Sequence, residues 1–177
     1  DSVTVNLENG KSFTAEVLLV AVGRGPVSAG IGYEEQGLTM DRGYVLVDNK
    51  CRTNVPGVWA VGDLIPTLQL AHVGFQEGIM VAEEIAGLNP QPINYDGVPR
   101  VTYSEPEVAS VGLTTAKAKE LGYEIEEVSY DLAGNGKSQI LKTAGSIKIV
   151  QQKGGPVLGI DRKSTRLNSS HITISYA

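Results

Sequence analysis

The sequence predicts a mixed fold, with an α/β part up to about residue 95 and a smaller α+β part after it. Three observations support this prediction. A continuous apolar run at 17–22 is typical of a strand that is covered on both faces. Apolar residues at three- and four-residue spacing predict a long helix over 68–86. Beyond the prolines at 90 and 92, several short strand patterns surround one helix pattern, as in an α+β domain.

Composition and charge exclude several classes of protein. With 177 residues and 41% hydrophobic content, the chain can bury a core, and its 21 glycines favour short strands and tight turns. The net charge is −5 and the basic residues are scattered, so we expect no nucleic-acid or membrane partner. Cys51 is the single cysteine, which excludes an internal disulfide and a structural zinc site. We therefore predict a cytoplasmic protein without a metal.

The first strands are predicted from the alternation of apolar and polar residues. This alternation covers 3–7, Asn9-Gly10 favours a tight hairpin turn, and residues 12–14 start a return strand. The apolar run at 17–22 follows and ends at Gly23, for which ordinary turn chemistry is the simplest interpretation.

A loop-rich stretch comes next. A short strand is predicted over 44–47, with Asp48-Asn49 as its turn. Cys51 lies just beyond this turn, and the chain offers it no second thiol. We expect Cys51 to be an inert small residue on a strand edge.

The most informative segment is TNVPGVWAVGD at 53–63, which combines a turn, an apolar strand at 58–61 and a carboxylate at the strand's end. A glycine at position 62 lets a ligand approach the backbone, and Asp63 can accept hydrogen bonds from ligand hydroxyl groups. The alternative is an aspartate that caps the next helix. From these residues alone, that alternative is favoured.

The helix predicted over 68–86 starts with a possible binding element. Its apolar positions are Leu70, Val73, Ile79, Val81, Ala82 and Ile85, and Gly87 is expected to end it. Unpaired N–H groups and the positive dipole end of a helix can face an electron-rich ring edge. The residues at this end are Gln69, Leu70, Ala71 and His72. For His72, a hydrogen-bonded packing role is the alternative.

A boundary is predicted near Tyr95, because the prolines at 90 and 92 interrupt helix and sheet alike. After it, Thr114 is expected to cap a helix that ends at Gly122. Asn135-Gly136-Lys137-Ser138 is interpreted as a turn, since its upstream glycine spacing does not fit a phosphate-binding loop. Strands are predicted over 125–130, 138–142, 145–151 and 156–160.

Several of these segments resemble one family. The stretch TNVPGVWAVGDLIPTLQLAHVGFQEGIMVAEEIAG resembles the second FAD-binding segment of the pyridine nucleotide-disulfide oxidoreductases. Residues 98–112, with their Pro-Glu-Val-Ala-x-Val-Gly core, resemble the start of that family's interface domain. Within the family, AHVGFQEG is most similar to the dihydrolipoyl dehydrogenases. The resemblance covers residues 1–160.

The resemblance implies a domain assignment. Residues 1–24 would be the end of an NAD-binding domain, 25–95 the return segment of a Rossmann-like FAD-binding domain, and 96–160 part of an α+β dimerisation domain. It also implies that FAD contacts Gly62, Asp63, Gln69, Leu70, Ala71 and His72, and that Gly23 lies near NAD.

The same resemblance implies an activity. A dihydrolipoyl dehydrogenase is a flavoprotein oxidoreductase that converts dihydrolipoamide and NAD+ to lipoamide and NADH through FAD and a redox-active disulfide. The parent enzyme is implied to be a homodimer that serves 2-oxoacid dehydrogenase complexes. The cysteine pair and the His-Glu acid-base pair have no counterparts here, so we expect no catalytic residue in this chain and no activity from the chain alone. The alternatives are a glutathione or mercuric reductase, or a non-catalytic dimerisation module.

The resemblance stops at Ile160. Residues 161–177 are similar instead to a translation of sequencing-adapter read-through, so we expect a non-native tail that packs poorly. The alternative is a basic targeting tail in which His171 is a ligand.

Overall fold

The computed structural model describes residues 2–164 of the chain. It divides into two compact units, Asp1–Pro90 and Gln91–Ala177, called here the first and the second unit. The first unit has short strands and one long helix, while the second has a five-stranded sheet with two short helices. This mixture of α/β and α+β features confirms the predicted fold class.

The first unit opens with the predicted hairpin. Strand β1 (Val3–Asn6) pairs antiparallel with β2 (Ser12–Ala15). The Leu7 N–H donates to the carbonyl of Lys11, and the Gly10 N–H donates to the carbonyl of Leu7. Only Gly10 has a positive φ, of 80°, so the loop is a three-residue connection rather than the two-residue turn predicted at Asn9-Gly10.

The prediction of a strand over 17–22 is wrong. These residues form no strand, and their side chains are exposed, to 81% at Val17 and 93% at Val22. A strand covered on both faces needs neighbouring strands to pair with its backbone. Within residues 2–164, none of the strands pairs with this run.

A second, shorter hairpin lies in the middle of the first unit. Strand β3 (Met40–Asp41) pairs antiparallel with β4 (Tyr44–Val45). The strand predicted over 44–47 is therefore present but ends two residues earlier. The turn residues Arg42 and Gly43 both have positive φ angles, of 49° and 86°.

The segment predicted as a strand over 58–61 is extended but hardly paired. Its one pairing to another part of the described chain is an antiparallel bridge between Trp59 and Arg52. It leads into a 3-10 turn at Gly62–Leu64. Gly62 and Asp63 therefore lie at the end of this extended segment, as predicted.

Helix α1 (Ala71–Ile85) starts three residues later than predicted. It ends as expected, because Gly87 has a φ of 77° and its N–H donates to the carbonyl of Glu84. The N–H of Leu88 donates to the carbonyl of Glu83, which completes a Schellman cap.

The buried face of α1 differs from the predicted one. Its buried side chains are Val73, Glu77 and Met80, while Ile79 and Ile85 are exposed. With Val45, Cys51, Ala60 and Ile65, the apolar members of this face form the core of the first unit. A glutamate thus occupies a core-facing position.

The second unit is built on an antiparallel sheet with strand order β5-β6-β9-β8-β7. Apolar side chains that are buried in this unit are Val98, Ala118, Leu132 and Val150. The strands are β5 (Arg100–Thr102), β6 (Glu107–Gly112), β7 (Ile125–Asp131), β8 (Gly145–Gln152) and β9 (Val157–Ser164).

Helix α2 (Thr115–Glu120) has both predicted caps. The Thr114 side chain accepts a hydrogen bond of 3.2 Å from the Lys117 N–H. Gly122 ends the helix with a φ of 85°, and its N–H donates to the carbonyl of Lys119. Both predictions are confirmed because they depend on local backbone chemistry.

Two predictions are wrong in this region: the strand over 138–142 and the turn at 135–138. Helix α3 (Gly136–Leu141) occupies this region. Asn135 is its N-cap, and the side chain accepts a hydrogen bond of 2.9 Å from the Lys137 N–H. The capping asparagine decides the local structure here.

The prediction that the chain packs poorly from Asp161 onward is wrong for residues 161–164. They continue β9, and the buried Arg162 lies 3.2 Å from the buried Glu107 of β6. The remaining residues of the predicted tail, 165–177, lie outside the described part of the chain, and so does His171.

None of the helices found within residues 2–164 has the length and apolar character that a membrane-crossing helix requires.

Candidate functional site

The extended segment at 58–61 presents Asp63 at the surface of the first unit. Gly62 takes up a φ of 72°, a conformation that favours glycine, and so turns the chain into the 3-10 turn. Asp63 is exposed, and its carboxylate makes no hydrogen bond or ion pair with any of residues 2–164. A carboxylate in this position is available to accept hydrogen bonds from a ligand.

The loop that carries Asp63 is held from inside by Glu77. One carboxylate oxygen, Oε2, accepts a 2.6 Å hydrogen bond from the backbone N–H of Gly62. The other, Oε1, accepts a 2.8 Å bond from the Thr67 hydroxyl. The Glu77 side chain is fully buried, with 0% exposure. Glu77 therefore connects both ends of the 62–67 loop to helix α1.

The start of α1 lies beside this loop. A Cβ added at Gly74 would lie 3.4 Å from the Cα of Gly62, so the second turn of the helix packs directly against the loop's first residue. Leu70 is the N-cap, and its side chain caps none of the first-turn amides. Ala71 and His72 are exposed in this first turn. The uncapped helix start and Asp63 thus belong to one local arrangement.

Gln69 and Leu70 precede the helix rather than forming its first turn. Both are half-buried, and the Gln69 amide donates a long hydrogen bond of 3.4 Å to the Tyr44 hydroxyl. This contact connects the approach to α1 with strand β4. The structure therefore packs the loop with Gly62 and Asp63 against the same helix at whose start Gln69, Leu70, Ala71 and His72 lie.

Gly23 is not brought into this arrangement by the described residues. It is exposed with a φ of 122°, and no heavy atom lies within 4 Å of the position that a Cβ would occupy. The backbone angle accounts for the glycine without a ligand.

Cys51 has the surroundings of an unreactive thiol. It is buried at a φ of 61° in the turn that Asp48 stabilises, where the Asp48 carboxylate accepts hydrogen bonds from the N–H groups of Lys50 and Arg52. Burial raises the pKa of the Cys51 thiol from 9.0 to about 12, and the negative charges of Glu77 and Asp48 add to the rise. The thiolate needed for redox chemistry is therefore disfavoured.

The second unit contains a cavity of about 220 Å³, which is separate from the site residues predicted above. Charged side chains of both signs line it, from Asp96, Arg100, Lys148 and Asp161.

Sequence analysis missed Glu77 and Thr67. The available signal was the spacing of Val73, Glu77 and Met80, which places a carboxylate on the buried stripe of an amphipathic helix. A buried glutamate needs hydrogen-bond donors, and this requirement points to the loop that α1 covers.

Comparison with protein families gives two matches. The model described as pyridine nucleotide-disulphide oxidoreductase matches residues 1–78. The model described as the dimerisation domain of the same family matches residues 98–170. Both units are therefore matched by models of one family.

Curated relatives agree with these matches. The chain is 44% identical over 165 residues to a dihydrolipoyl dehydrogenase of Bacillus subtilis, which covers 90% of this chain and 35% of the relative. It is 41% identical to a dihydrolipoyl dehydrogenase of Geobacillus stearothermophilus, with the same coverage of both chains. The chain thus spans about a third of the length of these relatives.

Solved structures show the same fold. The HOCl-induced flavoprotein disulfide reductase RclA of Escherichia coli is similar with a TM-score of 0.81 and 26% identity, over 93% of this chain and 38% of that one. LpdA of Mycobacterium tuberculosis is similar with a TM-score of 0.79 and 26% identity, over 91% of this chain and 36% of that one. The matched models, the relatives and the fold agree, and the chain belongs to the pyridine nucleotide-disulfide oxidoreductase family.

Proposed function

We propose that residues 25–95 form one half of the FAD site of an oxidoreductase of the dihydrolipoyl dehydrogenase type. The observation that carries this proposal is the arrangement of Asp63 and the start of α1. An exposed carboxylate without a partner in the described chain lies on a loop whose first residue packs against the second turn of α1, a helix with an uncapped start.

The residues present fit the chemistry of FAD. Its ribityl chain offers hydroxyl groups, for which the Asp63 carboxylate is a matching acceptor. Its ring gathers negative charge at one edge on reduction, and the first-turn amides around Ala71 and His72 would stabilise that charge. When bound, FAD supplies the electron transfer that side chains cannot perform. The chain's own contribution is to bind and orient the flavin.

For the complete enzyme we propose the oxidation of dihydrolipoamide by NAD+, with Gly23 near the nicotinamide cofactor. The relatives named dihydrolipoyl dehydrogenase support this substrate. We propose that this chain alone does not turn over. It has one cysteine, which cannot form a redox disulfide within the chain, and burial keeps that thiol protonated.

The second unit supports a proposal about assembly. We assign residues 96–160 to a dimerisation domain and propose a homodimer, in line with the matched dimerisation model. Edge strand β7 exposes large apolar side chains at Val128 and Tyr130, which a partner copy would cover.

We further propose that the complete enzyme is cytoplasmic, serves a 2-oxoacid dehydrogenase complex and binds neither nucleic acid nor membranes. We assign residues 1–24 to the end of an NAD-binding domain, and we propose that the non-native tail starts only after Ser164, because residues 161–164 belong to β9.

One alternative has specific support. The structural similarity to RclA favours another flavoprotein disulfide reductase, in the class of the glutathione and mercuric reductases. A purely non-catalytic dimerisation module is the second alternative. The second unit would carry that function by itself, since the arrangement around Asp63 belongs to the first unit.

A flavin titration tests the site. FAD fluorescence is followed as the purified chain is added, for the natural sequence and for Asp63→Asn. We expect saturable binding that weakens roughly tenfold in the variant, which corresponds to the loss of one charged hydrogen bond. Asp41→Asn, an exposed aspartate of the same unit, is the matched control and should bind as the natural chain does. Equal affinities for all three proteins would refute the role of Asp63.

Sedimentation velocity tests the assembly. We expect a dimer that dissociates when Val128 and Tyr130 are replaced by Lys. A dimer without any flavin binding would favour the non-catalytic module, whereas flavin binding by a monomer would contradict the proposed assembly.

A further inference from the structure

We infer that Glu77 is a positioning residue for the flavin half-site, acting through Gly62 and Thr67 on Asp63. This inference rests on the proposed FAD binding and adds to it a residue that does not touch the ligand. Glu77 itself is fully buried, so any effect on FAD must pass through the 62–67 loop.

Burying the Glu77 side chain has a cost in free energy. A carboxylate removed from water is strongly destabilised unless hydrogen bonds compensate for its lost hydration. Val73 and Met80 show that the same stripe of α1 accepts apolar residues. The Glu77 carboxylate accepts one hydrogen bond from the Gly62 N–H and another from the Thr67 hydroxyl, both in the loop. A buried carboxylate therefore serves the loop's geometry, which an apolar side chain at this position could not do.

Hydrogen bonds fix the backbone of Gly62 on both sides. Its N–H donates to Glu77, and its carbonyl accepts a 3.0 Å bond from the Ile65 N–H. Both backbone polar groups of a residue at a φ of 72° are thus occupied. Asp63 is the next residue, so the direction in which its side chain leaves the backbone follows from Gly62.

Glu77 belongs to the same helix whose first turn would face the flavin ring. Gly74, three residues before Glu77, packs on the Cα of Gly62. One rigid element therefore sets both the helix start and the loop with Asp63. Shifting the loop by a fraction of an ångström would misplace the carboxylate relative to the ribityl hydroxyls.

The experiment compares four variants of the full 177-residue chain. Glu77→Gln keeps the size of the side chain but replaces one acceptor oxygen with a donor. Thr67→Val removes the hydroxyl donor, and Thr67→Ser retains it. Glu83→Gln changes an exposed glutamate of the same helix and is the matched control. For each, the amide signals of Gly62 and Asp63 are recorded by NMR, and the FAD dissociation constant is measured well below the unfolding temperature.

A positioning role predicts a specific pattern. The Gly62 and Asp63 amide signals should move in Glu77→Gln, and the FAD dissociation constant should rise about tenfold. Thr67→Val should weaken FAD binding several-fold, while Thr67→Ser and Glu83→Gln should leave it unchanged. A role in stability alone would lower the unfolding temperature but leave the FAD affinity of the folded protein unaltered.

The outcomes separate this inference from the proposed function. If Asp63→Asn weakens FAD binding while folded Glu77→Gln and Thr67→Val bind normally, the positioning role is wrong and the flavin site stands. If the natural chain binds no FAD, the proposed function is wrong, and so is the inference that rests on it. Should Glu77→Gln not fold, the two Thr67 variants decide, since normal binding by Thr67→Val overturns the inference.

Discussion

Lys50 Nζ lies 3.0 Å from Glu84 Oε2, which joins the turn after β4 to the last helical turns of α1. Both side chains are largely buried, at 16% and 11% exposure, and Glu84 also forms an ion pair with Arg52. The turn that contains Cys51 is thus fixed to α1 from the C-terminal end of the helix. Glu77 fixes the 62–67 loop to the same helix from the middle.

We predict that Glu84→Gln destabilises the first unit by about 1.5 kcal/mol, because the largely buried Lys50 loses its carboxylate partner. Arg52 adds little to this loss, since it is half-exposed and keeps its ion pair with Asp48. The check is urea denaturation followed by the fluorescence of Trp59, the chain's single tryptophan, which lies in the first unit. Glu83→Gln, an exposed neighbour on the same helix, should change the free energy of unfolding by less than about 0.5 kcal/mol. An equal effect of both substitutions would contradict the importance of this ion pair.

We predict that Arg42→Asn stabilises the first unit by about 0.5 kcal/mol. The β3–β4 turn needs positive φ at Arg42 and Gly43, which matches the type I′ turn that Asn-Gly adopts most readily. Little is lost with the arginine, since its ion pair with Asp41 is exposed. The urea midpoint should rise. Gly43→Ala should lower it, because the added Cβ would lie 3.3 Å from Pro26 and Ser28 side-chain atoms.

The elements that the sequence predicts well are those decided by neighbouring residues. Thr114 caps the start of its helix, and Gly87 and Gly122 end theirs, as expected, because each cap needs only the chain within one turn. The apolar run at 17–22 shows the opposite case. Its strand character depends on distant partners, and a sequence pattern cannot tell whether these are present. At 135–142, the decisive local signal for a helix is Asn135, whose side chain caps α3.

In the candidate site too, the residues of one local motif could be predicted, whereas a residue placed by packing could not. Gly62, Asp63 and residues 69–72 lie within eleven positions of one another, so a single motif could suggest them together. Glu77 was not foreseen, because a glutamate on a helix normally faces water. Only the packing of α1 on the 62–67 loop reveals that this glutamate faces inward.

We predict that Cys51 makes the first unit less stable as the pH rises from about 9 to 12. Above pH 9 the thiol of the unfolded chain ionises, while the buried thiol keeps its proton until its pKa of about 12. Unfolding then releases a proton, so the free energy of unfolding falls by about 1.4 kcal/mol per pH unit from this group. The measurement is urea denaturation between about pH 9.5 and 11, compared with Cys51→Ala, which should lack this part of the slope. Parallel slopes for the two proteins would show that the thiol is not the cause.

Gly112 and Gly159 approach each other closely where β6 pairs with β9. These residues face each other in the β6–β9 pairing, and a Cβ at Gly112 would collide with the carbonyl oxygen of Leu158 and lie 2.8 Å from the Gly159 Cα. Because these are backbone atoms of β9, they cannot move away without breaking the ladder, and the φ of 78° adds strain for alanine. We expect Gly112→Ala to destabilise the second unit by at least about 2 kcal/mol. Amide hydrogen exchange in β8 and β9 measures this loss. Gly134→Ala, where a Cβ meets open space, is the control that should leave exchange unchanged, and equal exchange in both variants would contradict the close contact.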